Sequence, residues 1–137
     1  MCFFLKMFQK KVSYVGNILY LCNIKHQEMM NAKVIYLKDA QDFIGSLPDK
    51  ARRKIFFNAD LVCGGVKDTR LFKKLEGSEI WELRTEYSGN EYRLFSFWDT
   101  RIDTLIVATH GIEKKTQKTP RKEITKAEQI RNQYFKK

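Results

Sequence analysis

The chain has 137 residues, of which 43% are hydrophobic and 31% charged, as expected for one globular domain with a real core. Its formal net charge of +10 favours a polyanionic partner, nucleic acid first and an anionic membrane surface or an acidic protein second, although net charge also serves solubility alone. Three widely spaced cysteines and two histidines exclude a disulfide framework, a zinc motif and a His-rich metal site, and no apolar run approaches the roughly 18 residues that cross a bilayer.

The N-terminal residues, up to Met29-Met30, differ from the rest of the chain. They contain many aromatic residues and two of the three cysteines, but no clear hydrophobic period. We therefore predict one domain over residues 30–137. Residues 1–29 are either an added N-terminal arm or the result of a mis-assigned start.

A strand and two helices are predicted at the start of this domain. Residues 32–37, with the sequence AKVIYL, have strand composition. Asp39 is a plausible N-cap for the apolar positions that follow at helical spacing, and Pro48 suits the first turn of a second helix. Gly64-Gly65 ends the pattern, as C-cap glycines do. We predict that residues 39–63 form a helical hairpin covering one face of a sheet.

Residues 79–110 contain three strand patterns in succession. The first is 79–87, the second 91–98 and the third 103–110, each rich in β-branched and aromatic residues. Ser88-Gly89-Asn90 and Asp99-Thr100-Arg101 supply turn residues at hairpin distances. These features predict an antiparallel meander, reached from the helices through a linker at 67–75.

The C-terminal tail combines a helix pattern with most of the positive charge. From Lys114 to Lys137 there are nine Lys or Arg residues against two acidic ones, so this tail carries +7. Thr119 is a candidate N-cap, Pro120 the predicted first helical residue, and Glu123 lies in the first turn. The apolar stripe of this helix comprises Ile124, Ala127, Ile130 and Tyr134. The element order β-α-α-β-β-β-α predicts an α+β fold with a mostly antiparallel sheet.

Two arginines in the meander need an explanation. Arg84 and Arg93 lie on neighbouring strands, and period-two alternation separates Trp81, Leu83 and Thr85 from Glu82, Arg84 and Glu86. A buried, unpaired guanidinium is costly. Each arginine therefore either pairs with Glu82, Glu86 or Glu91, or forms a bidentate phosphate clamp, for which the planar guanidinium is well suited.

Other basic residues have two interpretations as well. The helical run Arg52-Arg53-Lys54 is a solvated helix face or a nucleic-acid contact. His110 is predicted to end the third strand beside lysines that would lower its pKa and leave it able to accept a proton. The chain has no P-loop, no dinucleotide-binding glycine motif and no Ser-His-Asp set.

Four segments in this order resemble one family. They are W-E-L-R at 81–84, Y-R-L-F at 92–95, H-G-I-E-K-K-T-Q-K-T-P-R-K-E-I at 110–124 and A-E at 127–128. The chain from about residue 32 to 134 resembles the RelE/ParE toxin superfamily, and most closely its phage-derived, HigB-like branch. In that pattern an aromatic residue usually follows H-G, where this chain has Ile112.

The resemblance implies a small RelE-like fold and a cytoplasmic toxin of a type II toxin–antitoxin pair. Its expected partners are a cognate antitoxin, expected to be a helix-turn-helix protein, and the ribosome with its messenger RNA, without membrane contact. The implied activity is endoribonuclease cleavage of translated messages by attack of the ribose 2′-hydroxyl on the adjacent phosphate. No metal or other cofactor is expected.

The resemblance also suggests roles for individual residues. Arg84 and Arg93 match the arginines that contact the phosphate and stabilise the transition state, Lys115 belongs to the catalytic basic pair, and His110 is the preferred general base, with Tyr92 or a lysine as alternatives. The residues expected to contact RNA are Lys73, Lys74, Tyr92, Lys114, Lys118 and Arg121. A ParE-like gyrase poison and a non-catalytic RNA-binding or antitoxin-binding module remain alternative functions.

Overall fold

The α+β fold predicted from the sequence is confirmed. The computed structural model describes residues 32–102 and 104–137, so the predicted N-terminal arm and Asp103 lie outside the described residues. The described part contains five strands and three helices in the order β-α-α-β-β-β-β-α. These elements are β1 (Lys33–Tyr36), α1 (Lys38–Gly45), α2 (Asp49–Cys63), β2 (Phe72–Lys74), β3 (Trp81–Tyr87), β4 (Asn90–Trp98), β5 (Leu105–Lys114) and α3 (Arg121–Lys136).

The strands form one sheet in the order β1-β5-β4-β3-β2. β1 runs parallel to β5, and the other neighbours are antiparallel, as predicted for a mostly antiparallel sheet. Ser88 and Gly89 connect β3 to β4 with positive φ angles of 52° and 79°. This is the backbone of a type I′ turn, whose twist matches that of the two strands and sets their register.

Helices cover both faces of the sheet. The predicted helical hairpin, α1 and α2, packs through Ile44 and Ile55 on Leu94 and Ile106, and we call this side the hairpin face. α3 packs on the opposite side through Ala127, against the strand residues Phe95, Phe97 and Val107 and against Ile80, which directly precedes β3. None of the three described helices combines the length and apolarity that a membrane crossing needs.

The end of α3 is held to the β4–β5 connection by a buried carboxylate. Asp99 accepts hydrogen bonds from the Arg101 guanidinium at 3.1 Å and from the Tyr134 hydroxyl at 2.8 Å. These bonds, that of Arg101 above all, lower the pKa of Asp99 to about 2. The Arg101 guanidinium also lies over the rings of Tyr134 and Phe135, at 5.4 and 5.2 Å from their centroids.

The predicted end of the third strand is wrong, because β5 continues through His110 to Lys114. Phe95 pairs with His110 but Ser96 pairs with Ala108, so Thr109 is an extra residue in β5. Such a bulge shifts the alternation of side chains by one position. Because β5 continues to Lys114, His110 is an interior strand residue rather than a strand end, and the bulge places it on the same face as Val107.

Three further expectations also need correction. The predicted linker 67–75 contains β2, which adds a short strand at the edge of the sheet. Asp39 is not an N-cap: α1 begins one residue earlier and makes no side-chain cap bond. Thr119 is not the N-cap of α3, since Pro120 takes that position and the Thr119 hydroxyl bonds to the sheet instead.

Candidate functional site

Arg84 and Arg93 are directly opposed across β3 and β4, on the side of the sheet opposite the helical hairpin. We call this side the arginine face. Directly opposed residues share a face, so the neighbours of this pair follow from the register. The row toward the β3–β4 turn holds Glu86, Glu91 and Lys114, and the row on the other side holds Lys73, Glu82, Phe95 and His110. Strands lie about 5 Å apart and same-face neighbours on one strand about 7 Å apart, so these rows form one small area.

The central group of this area is the Glu82 carboxylate, which is fully buried. Its Oε1 accepts hydrogen bonds from Nε and Nη2 of Arg84 at 3.2 and 3.1 Å and lies 3.9 Å from Nε of Arg93. Its Oε2 accepts a hydrogen bond from the Thr119 hydroxyl. The two arginines therefore form ion pairs with Glu82, and this arrangement is compatible with a phosphate site because both guanidinium groups carry further donors.

Arg93 is the more enclosed of the two arginines, with 5% of its surface exposed. Its Nη2 donates to the Glu91 carboxylate at 3.2 Å and its Nη1 to the Tyr92 carbonyl at 3.3 Å. Its Nε is buried and has no hydrogen-bond partner, although it faces Glu82. Arg84 is the more exposed of the two, with 23% of its side chain accessible to solvent.

The residues between β5 and α3 form a cationic segment beside the arginine face. We call residues 115–120 the basic loop, in which Lys115 and Lys118 are exposed. Lys114, the last residue of β5, lies opposite Glu91. A cleft of about 560 Å³ separates the β3–β4 turn from this region and is lined on one side by Gly89, Asn90 and Glu91 and on the other by residues 113–117. Arg121, the first residue of α3, is exposed at the far end of the loop.

The structure does not support His110 as a general base. The residue is 3% exposed, and its ring stacks on that of Phe95 with centroids 4.8 Å apart. Nε2 lies 3.0 Å from the Glu123 carboxylate and Nδ1 lies 2.9 Å from the Thr109 hydroxyl. Burial lowers the pKa of His110 and the hydrogen bond to Glu123 partly opposes this effect. The lowered pKa agrees with the prediction, although burial is its main cause rather than the lysines after the strand. Neither ring nitrogen is available to a substrate.

The structure separates some residues that the sequence analysis grouped together. Tyr92 is buried on the hairpin face, where its ring contacts Phe43 edge-on, so its predicted contact with RNA is wrong. Lys73 is exposed on the arginine face opposite Glu82, but Lys74 projects to the other face and lies 3.8 Å from Glu79. Lys74 therefore cannot act together with the arginine pair from within this site.

Three residues near the site have roles that the sequence analysis did not assign. The sequence predicts only an ion-pair partner at Glu82, an N-cap at Thr119 and a first-turn acid at Glu123. In the structure Glu82 bonds to Thr119, and Glu123 bonds to His110, so both contacts hold the end of the basic loop against the sheet. The position of Glu82 two residues before Arg84 was the available signal. Within residues 32–102 and 104–137, no three His, Cys, Asp or Glu side chains are grouped to hold a metal ion.

Comparisons with known proteins identify one family. The family described as "Phage derived protein Gp49-like (DUF891)" matches residues 42–132, which is more than half of the chain. None of the curated proteins compared with the chain matches it. Among solved structures, the chain is similar to a chain of the toxin–antitoxin complex RelBE2 from Mycobacterium tuberculosis, with 19% identity and a TM-score of 0.46. That similarity covers 61% of this chain and 99% of the other.

Proposed function

We propose, from the premise that the chain belongs to the phage-derived Gp49-like family, that it is the toxin of a type II toxin–antitoxin module. This membership confirms the phage-derived branch to which the sequence motifs pointed. The proposed activity is endoribonuclease cleavage of messenger RNA on the ribosome, which stops translation. The proposed partners are the ribosome with its message and a cognate antitoxin that neutralises the protein.

The observation that carries this proposal is the direct opposition of Arg84 and Arg93, with Lys114 and the basic loop beside them. Like charges directly opposed on a sheet destabilise it unless anions lie between them. Glu82 and Glu91 supply that negative charge. A phosphodiester can add to it, because guanidinium groups bind phosphate oxygens with two parallel hydrogen bonds.

The arrangement suits cleavage without a covalent enzyme intermediate. The 2′-hydroxyl loses its proton as its oxygen attacks the adjacent phosphorus, the bond from phosphorus to the 5′-oxygen breaks, and the departing 5′-oxygen takes up a proton. The products are a cyclic phosphate and a free 5′-hydroxyl. Arg84 and Arg93 stabilise the charge that develops on the nonbridging oxygens. Lys73, Lys114, Lys115, Lys118 and Arg121 hold the RNA backbone.

We assign proton transfer to a lysine rather than to His110, which the resemblance favoured. His110 is enclosed and Tyr92 lies on the hairpin face, so a lysine beside the arginine pair is the remaining candidate. Lys115 is the one we prefer, because it is exposed and directly follows β5.

Induced expression from a tightly controlled promoter, followed by mapping of messenger-RNA 5′ ends, tests the proposal. New ends inside the coding frames of translated messages are the expected result. Growth arrest with intact messages would contradict it in favour of a gyrase poison, and unaffected growth would indicate a non-catalytic binding module.

A further inference from the structure

We infer that Glu82 is the positioning residue of the site: it orients Arg84, Arg93 and the basic loop for catalysis and does not itself touch the RNA. This inference rests on the proposed function and deepens it. Glu82 contacts groups from three separate segments, namely β3, β4 and the basic loop. Through these contacts, Glu82 fixes the position of the basic loop relative to the two arginines of the sheet.

The two carboxylate oxygens divide this task. Oε1 accepts the Nε and Nη2 protons of Arg84 and lies nearest to Nε of Arg93. It thereby engages the edge of the Arg84 guanidinium formed by Nε and Nη2, while Nη1 donates to the Thr69 carbonyl at 3.3 Å. Oε2 accepts a hydrogen bond from the hydroxyl of Thr119, which directly precedes the N-cap of α3 and lies at the end of the loop that carries Lys115 and Lys118.

Stability alone gives a weak reason for a charge at this position. A carboxylate with no exposed surface loses its hydration, and in general a buried ion pair contributes little more than hydrophobic residues of the same volume. Such a cluster does, however, hold charged groups in one arrangement before the substrate arrives. Catalytic groups that are already in place need no reorganisation during the reaction, and a displacement of about 1 Å can cost about 100-fold in rate.

Glu82→Gln tests the inference because it keeps the size of the side chain and removes its charge. The matched control is Glu86→Gln, which makes the same charge change on the same strand and the same face, at an exposed residue. The full-length variants are compared on programmed ribosomes for the maximal cleavage rate and the half-saturating concentration. Binding is measured separately with a message carrying a 2′-deoxy nucleotide at the cleavage position, which cannot be cut.

We expect Glu82→Gln to lower the maximal rate by about 10- to 100-fold, with a half-saturating concentration and an affinity for the deoxy message that match those of Glu86→Gln. A residue needed only for folding would instead lower the active fraction, without changing the rate of the molecules that remain folded. Equal maximal rates for the two variants, corrected for the folded fraction, would overturn the inference.

The arginine side chains provide a readout that does not require cleavage. In nuclear magnetic resonance spectra, the Nε–H signal of Arg84 should shift and exchange faster with water in Glu82→Gln but not in Glu86→Gln. Unchanged signals would refute the positioning role even if the wild-type protein cut no RNA. Conversely, shifted signals in a protein that cleaves no message would disprove the proposed function, while still showing that Glu82 orients Arg84.

A second variant keeps the test informative if Glu82→Gln does not fold. Thr119→Val removes only the bond to Oε2 and leaves the carboxylate with its arginines. We expect a several-fold lower maximal rate with the Arg84 signal unchanged, because only the loop is released. A wild-type rate in this variant would show that Glu82 does not hold the loop for catalysis.

Discussion

Replacing Gly111 by alanine tests the packing of the helical hairpin against β5. A Cβ at this position would lie 2.5 Å from Cε2 and 2.8 Å from Cγ of the Phe43 ring, and closer still to Cδ2. The backbone of Gly111 is not in the left-handed region, so the conflict with the α1 side chain is the main penalty. The glycine of the H-G motif is thus explained by the approach of α1.

The expected cost follows from two opposing effects. Forcing a methyl group into an occupied space costs about 1–3 kcal/mol. Replacing glycine also reduces the conformational entropy of the unfolded chain, which raises the free energy of unfolding by about 0.4–1 kcal/mol. Phe43 is only half-buried and can move, so we expect a net loss of about 1–2 kcal/mol, or a fall of about 3–10 °C in Tm.

Urea unfolding followed by circular dichroism measures this difference. Gly45→Ala is the matched control, because a Cβ there meets nothing within 4 Å and the residue ends α1. Its stability should be unchanged or higher by up to about 1 kcal/mol. In the Gly111→Ala background, Phe43→Leu should recover part of the loss, with a coupling energy of about 0.5 kcal/mol or more. Equal stability of Gly111→Ala and the wild type would refute the reasoning.

Three further predictions concern catalysis and pH. Arg93→Ala and Lys115→Ala should each lower the cleavage rate by about 100-fold or more, measured as cleavage on programmed ribosomes. Arg93→Lys should not restore the rate, because lysine cannot donate two parallel hydrogen bonds to a phosphate as a guanidinium does. The free energy of unfolding should fall as pH drops below about 6.5, because burial lowers the pKa of His110 in the folded state and the unfolded state therefore binds more protons; urea titrations from pH 8 to 5 measure this slope, which His110→Gln should reduce. The free energy of unfolding should fall again between pH 4 and about 2, because the pKa of Asp99 rises from about 2 to its ordinary value of 3.8 on unfolding. Thermal scans should show a smaller fall in Tyr134→Phe. This variant keeps the hydrogen bonds from Arg101 but lacks the hydrogen bond from the Tyr134 hydroxyl, which also lowers the pKa of Asp99.

Wild-type cleavage by both alanine variants would disprove the site assignment. A stability that is flat between pH 8 and 5, or equally steep in His110→Gln, would show that the imidazole is not held neutral. An unaltered acid transition in Tyr134→Phe would show that the hydroxyl does not stabilise the Asp99 carboxylate.

Much of the fold was predictable because it depends on local patterns. The strands of the meander, the helical hairpin and the proximity of Arg84 to Arg93 follow from hydrophobic period and turn residues. The same alternation places Tyr92 and Arg93 on opposite faces, because successive strand residues alternate. The incorrect RNA contact of Tyr92 could therefore have been avoided from the sequence alone.

Other features depend on contacts between distant parts of the chain. The short strand β2 has no clear pattern of its own and exists through its pairing with β3. The extra residue Thr109 appears only when the pairs of β4 and β5 are compared, and it places His110 and Val107 on one face although they are three residues apart. No local signal distinguishes such an insertion from a regular strand.

The sequence by itself determined all the elements except β2, the basic character of the tail and the placement of the two arginines on neighbouring strands, because each depends on local patterns of residues. Only the tertiary structure decided which charged groups meet. Glu82 and Thr119 are 37 residues apart in sequence, and Glu123 reaches His110 from another element. These contacts arise because α3 and the basic loop pack against the sheet. Hydrophobic periodicity and composition do not specify which side chains meet in that packing.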